Sequence, residues 1–214
     1  MSSCPKAGFY QAPRCRELAT RRGPRQPRIV IRVLTIPGLW NSGATHWQTC
    51  WERERDDTRR VLQDEWERPR RGDWTGRIRE ALRELNAPVV LAAHSLGCCT
   101  LAHLAREATL AELSNVRGAL LVAPSDVEAP SYPAGTEGFA PMPLDPLPFP
   151  AMVVGSSNDE YVTDARARFF AQQWGARYID AGPLGHLNSA SNLGRWPLGQ
   201  ALLEELLFSE ETRA

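Results

Sequence analysis

Short apolar runs closed by glycine, proline or small polar residues alternate along this chain with stretches whose apolar positions recur every three or four residues. Ile29-Val30-Ile31 with Val33-Leu34, Val89-Val90-Leu91, Leu120-Leu121-Val122 and Met152-Val153-Val154 are continuous enough to be buried on both faces, as strands inside a parallel sheet are. They predict strands over 28–36, 88–93, 118–123 and 151–155, with a weak one over 58–63 and a last one over 176–180. Helical spacing predicts helices over 45–55, where Trp47 and Trp51 share a face, over 74–86 through Ile78, Leu82 and Leu85, and from Cys98 to about Thr109. Two more are predicted over 163–174, with an arginine-rich outer face, and over 197–208, with Pro197 in the first turn. Strand and helix in alternation imply a mainly parallel sheet covered on both faces. Residues 124–150 hold eight of the seventeen prolines, a density that leaves no room for a helix or an inner strand and predicts an extended loop.

Composition narrows the picture. A chain of 214 residues with 43% hydrophobic and 23% charged residues fits one globular domain. No apolar run approaches the roughly 18 residues of a membrane span. The zero net charge is unevenly spread, because residues 1–28 carry seven basic residues against Glu17, a net of +6. That segment has no periodicity and no apolar stretch of the kind a secretory signal needs, so it is read as a disordered basic tail ahead of a domain over 29–214. The mildly acidic remainder argues against nucleic acid as a partner of the domain. The five cysteines fall in no zinc-ligand spacing and imply no disulfide framework, so the expected compartment is the reducing cytoplasm and no metal is expected.

The chemistry collects at strand ends. The run over 88–93 stops at His94-Ser95-Leu96-Gly97 and a helical stretch begins at once, which places a serine on a sharp strand-to-helix corner. Such a corner holds the hydroxyl exposed and aims the first helical N–H groups at a reacting carbonyl. Small residues must flank the serine; with Ala93 and Gly97 the motif reads A-x-S-x-G. The loop Pro37-Gly38-Leu39-Trp40-Asn41-Ser42-Gly43 leaves the first strand, and the backbone N–H groups of Leu39 and Leu96 are the candidate oxyanion donors.

Ligands of open parallel sheets bind beyond the carboxyl ends of the strands. Ser95, Asp159 and His186 follow three different strands there, in the chain order of α/β hydrolases. In that arrangement His186 takes the Ser95 proton and Asp159 fixes the imidazole. Asp126 is the rival acid, since it too follows a strand, and His46, close to the Leu39 loop, is the rival base. His94 is expected to point away from the nucleophile, and His103 to be packed. Trp40, His46 and Trp47 lie near the site in sequence and are the candidate substrate contacts, with the proline-rich loop as a further wall.

Pro37-Gly38, His46-Trp47-Gln48, Trp51-Glu52, His94-Ser95-Leu96-Gly97-Cys98, Ser156-Ser157-Asn158-Asp159 and Gly185-His186-Leu187-Asn188 together resemble the retinoblastoma-binding-protein-type small serine hydrolases. The resemblance runs from about Val30 to Leu207 and leaves the tail outside. It implies a compact α/β-hydrolase fold without a large lid, a Ser95–His186–Asp159 triad, and a hydrolase with no metal or organic cofactor. The expected reaction is cleavage of small-molecule esters, with amides or thioesters as variants. A second reading is a protein-binding module that keeps the fold, with the basic tail as its partner contact.

Overall fold

The computed structural model describes Met1, residues 32–85 and residues 87–208; the rest of the basic tail over 1–28 and the first residues of the strand expected over 28–36 lie outside the described residues. The strands β1 (Val33–Ile36), β2 (Thr58–Arg60), β3 (Val89–His94), β4 (Val116–Val122), β5 (Ala151–Gly155) and β6 (Arg177–Asp180) form one sheet in the order β2-β1-β3-β4-β5-β6. Every pairing is parallel. Helices α1 (Trp47–Glu54), α2 (Arg71–Glu84), α3 (Leu96–Glu107), α4 (Asp164–Gln173) and α5 (Pro197–Phe208) supply the crossovers and the cover.

Strand side chains alternate between two cores, as the pleat requires. Leu34, Leu91, Ala93, Leu121 and Val153 meet α2, α3 and α4 through Ile78, Leu101 and Phe170. Val33, Val90, Ala92, Leu120 and Val154 meet α1 and α5 through Trp47, Trp51, Leu203 and Leu206. This double burial is why the strand sequences read as continuous apolar runs. The chain winds one way from β1 to β2 and the other way from β3 to β6, so the sheet changes direction between β1 and β3. A crevice at the carboxyl edge opens at such a point.

Most predicted elements fall within a few residues of their expected bounds. Helix α2 starts earlier than the expected Trp74, at Arg71, because the Arg71 N–H donates to the Glu137 carbonyl (3.0 Å) and the Glu137 N–H to that of Pro69 (2.9 Å). A long-range bridge to the proline-rich loop sets that helix start, and local spacing carries no sign of it. The loop itself is pinned down: Trp174 Nε1 donates to the Pro143 carbonyl (2.8 Å), and the loop's own Phe139, Met142 and Phe149 are buried. It holds no helix or sheet strand, and among the described residues no large lid covers the carboxyl edge.

Candidate active site

Ser95 joins β3 to α3 with φ 56° and ψ −122°, a conformation costly for any residue with a Cβ. Two glycines make room for it. A Cβ on Gly97 would lie 2.4 Å from the Ile36 carbonyl oxygen and 2.6 Å from that of Pro37, and one on Gly38 would lie 2.7 Å from the Ser95 Cβ. The corner and the loop after β1 therefore fit together at backbone distance. The Trp40 N–H is taken by the Trp66 carbonyl (3.0 Å), whereas among the described residues the N–H groups of Leu39 and Leu96 donate to no backbone carbonyl.

The structure brings the three separated side chains into one line. Ser95 Oγ lies 2.8 Å from His186 Nε2, and His186 Nδ1 lies 2.9 and 2.8 Å from the two Asp159 carboxylate oxygens. The carboxylate can only accept, so Nδ1 carries the proton and Nε2 presents a lone pair to the Ser95 hydroxyl. The Asp159 side chain is fully buried and also accepts the Tyr161 N–H (2.8 Å). Ser156 and Asn158 tie its turn to the loop that carries His186: the Leu184 N–H donates to Ser156 Oγ (2.9 Å) and the Gly185 N–H to Asn158 Oδ1 (2.7 Å). The Tyr161 ring packs on the imidazole at 4.5 Å between centroids.

The rivals are engaged elsewhere. Asp126 accepts from Arg166 Nε at 3.0 Å. His46 caps α1, its Nδ1 accepting the Gln48 N–H (3.2 Å), which leaves the ring proton on Nε2 and no lone pair there for a hydroxyl. Burial, with Arg60 and His186 nearby, lowers its pKa to about 3, so it stays neutral. His103 is packed, with Nε2 on the Phe139 carbonyl (2.8 Å).

His94 leaves the strand on the face opposite the α3 core, as alternation requires, yet it does not leave the site. Its Nε2 donates to the His186 carbonyl (2.9 Å), its ring lies 4.9 Å from that of His186, and burial pushes its pKa well down. The loop after β6 reaches around to this face, so the expectation that His94 points away from the chemistry is corrected.

A cavity of about 310 Å³ opens above Ser95 and His186. Leu39, Trp40 and His46 line it, as do Tyr132 and Pro133 of the proline-rich loop, and among the described residues no Asp, Glu, Lys or Arg does. Trp40 is 57% exposed at the rim and held at φ 62°. Trp47, expected as a substrate contact, does not reach the cavity. It is fully buried, packed edge-on against Trp51 at 4.6 Å, because its indole N–H needs an acceptor and finds the Leu187 carbonyl (3.0 Å).

Several site residues escape sequence reasoning. Gln48 Nε2 donates to the carbonyls of Ile36 (3.2 Å) and Ala92 (2.9 Å), and its Oε1 accepts from Ser42 Oγ (2.5 Å), so one buried amide sews β1, β3 and the Leu39 loop together. Arg60 clamps the same loop through Asn41 Oδ1 (2.9 Å) and the Ser42 carbonyl (3.0 Å). Ser125 Oγ lies 2.8 Å from Ser95 Oγ. The only sequence sign of Ser125 was its place in the Pro124-Ser125-Asp126 turn after a strand.

Comparison with known proteins bears on family and fold. The model of the serine hydrolase family matches residues 33–205. A YdeN-like hydrolase of Pectobacterium atrosepticum is 29% identical, with a TM-score of 0.72 over 83% of this chain and 91% of that one. The ydeN gene product of B. subtilis is 19% identical (TM-score 0.60, covering 82% and 97%), and Est1E of Butyrivibrio proteoclasticus 12% identical (TM-score 0.58, covering 84% and 90%). The last two share the fold. The curated proteins yielded no match.

Proposed function

This chain belongs to the serine hydrolase family, and from that premise we propose that it cleaves carboxylic esters of small or medium acyl groups through an acyl-enzyme on Ser95. The observation that carries the reading is the unbroken contact line from Ser95 Oγ through His186 to the buried Asp159 carboxylate. His186 Nε2 takes the Ser95 proton as Oγ attacks the ester carbonyl, and returns it to the departing alcohol. Asp159 holds the imidazole tautomer and stabilises the imidazolium. The N–H groups of Leu39 and Leu96 receive the oxyanion. Water then attacks the acyl carbon, again losing a proton to His186, and the acid leaves.

Trp40, His46 and the Tyr132 wall form the acyl and alcohol contacts, and an uncharged lining suits a neutral small-molecule ester. Within the family we read the chain as the retinoblastoma-binding-protein type, on His46-Trp47-Gln48 and Gly185-His186-Leu187-Asn188. The hydrolase domain is taken as 29–214 with the basic tail outside it. A cytoplasmic location accords with the free thiols of Cys50, Cys98 and Cys99. No helix among the described residues is long and apolar enough to cross a membrane.

The test is labelling with a fluorophosphonate probe, with the adduct located by mass spectrometry, beside turnover of p-nitrophenyl acetate and butyrate. Adduct on Ser95, with labelling and turnover lost in Ser95→Ala and His186→Ala, is the expected result. Unchanged turnover in Ser95→Ala would sink the proposal.

A further inference from the structure

Ser125 sits at the end of β4 as Ser95 sits at the end of β3, and both corners are bent. Ala123 has φ 48°, a left-handed conformation for a residue with a Cβ, and Pro124 follows it. This bend sets Ser125 beside the cavity at 1% exposure, with its carbonyl accepting the Cys99 thiol proton (3.3 Å). Ser95 is tied to the same strand end, its N–H donating to the Val122 carbonyl (2.9 Å). The two hydroxyl oxygens meet at 2.8 Å.

The proton inventory fixes the direction of that hydrogen bond. The His186 Nδ1 proton goes to Asp159, so Nε2 accepts and the Ser95 proton lies on it. The Ser95–Ser125 bond then has only the Ser125 proton to use, and Ser125 donates to Ser95 Oγ. We infer that Ser125 is a further catalytic residue, a donor to the Ser95 oxygen that favours its departure when the acyl-enzyme is hydrolysed. This rests on the reading of Ser95 as the nucleophile.

The Ser95 oxygen differs between the two half-reactions. In the acyl-enzyme, Ser95 Oγ is an ester oxygen whose lone pair is drawn into the carbonyl, a poor acceptor. After water adds and gives its proton to His186, the C–Oγ bond breaks, its electron pair stays on Oγ, and Oγ takes the proton back from His186. Negative charge builds on Oγ along that path, and a hydrogen bond to it strengthens as the charge grows. The same donor meets a neutral hydroxyl before acylation and helps less there. Removing it slows deacylation more than acylation, and acyl-enzyme accumulates.

Accumulation has a kinetic signature that loosened packing does not. Stopped-flow turnover of p-nitrophenyl acetate by Ser125→Ala is expected to show kcat and KM falling together, by about 3- to 10-fold, the effect of one neutral hydrogen bond. kcat/KM stays close to wild type, the burst of p-nitrophenol grows, and Ser125→Thr, which keeps the hydroxyl, restores kcat. If the alanine protein does not fold, Ser125→Cys takes its place, its thiol being a weak donor. A fall in kcat with KM unmoved, a threonine variant as slow as alanine, or no change at all would overturn the inference. Fluorophosphonate labelling of the same preparations separates the two levels. Without adduct on wild-type Ser95, the nucleophile assignment falls and takes Ser125 with it; with adduct and an unmoved KM in the alanine variant, only the role of Ser125 falls.

Discussion

At the scale of single residues, the strained serine is held by what surrounds it. Gly97 faces backbone oxygens of Ile36 and Pro37, atoms with no side-chain freedom to yield. Gly97→Ala is expected to push the α3 start away from the Leu39 loop, costing about 1–3 kcal/mol of stability. It would also separate the two proposed oxyanion N–H groups, of Leu39 and Leu96, and lower turnover beyond what stability explains. Urea midpoints and p-nitrophenyl acetate rates check this together; a fully active, fully stable variant would show that the close fit is dispensable. Asp159→Asn keeps the shape but favours the wrong imidazole tautomer, and turnover is expected to fall by about 10⁴-fold with little change in KM. Much of this was readable in the sequence: Ser95, Asp159 and His186 follow strands, and their order is informative. Ser125 was not, since a serine after a proline in a turn is ordinary until two strand ends are known to bend toward each other. His94 was misread because alternation names the face a side chain takes and not which loop will come to meet it.

Elements explain why His186, the proposed base, lies where it does. Helix α1 is short, yet three consecutive residues at its start each fix a different part of the site. His46 caps the helix beside the cavity, Trp47 holds the Leu187 carbonyl, and Gln48 joins the ends of β1 and β3. In the sequence His46 and Trp47 read as substrate contacts and Gln48 entered only through a resemblance, because the partners that define their roles lie far along the chain, Leu187 above all. Trp47→Phe leaves the Leu187 carbonyl buried without its donor, an expected cost of about 1–3 kcal/mol. Leu187 adjoins His186, so kcat should fall while KM holds; an unchanged kcat would detach α1 from the positioning of the base. The 3₁₀ turn Ser189–Ser191 was also missed, and it rests on a local capping box at Asn188 without the apolar periodicity that marks longer helices.

The whole molecule answers to acid through groups it keeps neutral. The pKa of His46 is lowered to about 3, and that of His94 lies well below its ordinary value, both by burial first. The unfolded chain would bind protons on both below about pH 6.5 while the native state does not. Stability is therefore full above that pH and declines as pH falls toward about 3, by up to ~1.4 kcal/mol per pH unit for each group. Urea midpoints between pH 4 and 8 should show this slope. His46→Asn, which keeps a side-chain cap for α1, should flatten it by about one proton; an identical slope in the variant would mean that His46 ionises freely in the native protein. Fold class was the part most legible in sequence, because a sheet buried on both faces writes itself as apolar runs.

Among the described residues strand β6 borders only β5, and its own residues are half-covered or exposed. An edge of this kind opens locally at a lower free energy than the interior of the sheet. His186 hangs just beyond it. Partial opening of that edge would therefore silence the protein while the aromatic cluster of Trp47, Trp51 and Trp196 stayed packed. The proposed esterase activity should disappear at lower urea than tryptophan fluorescence changes, so that survival of the fold and survival of the activity become separately measurable quantities. Superimposed curves would instead make the edge strand part of the last cooperative unit to unfold.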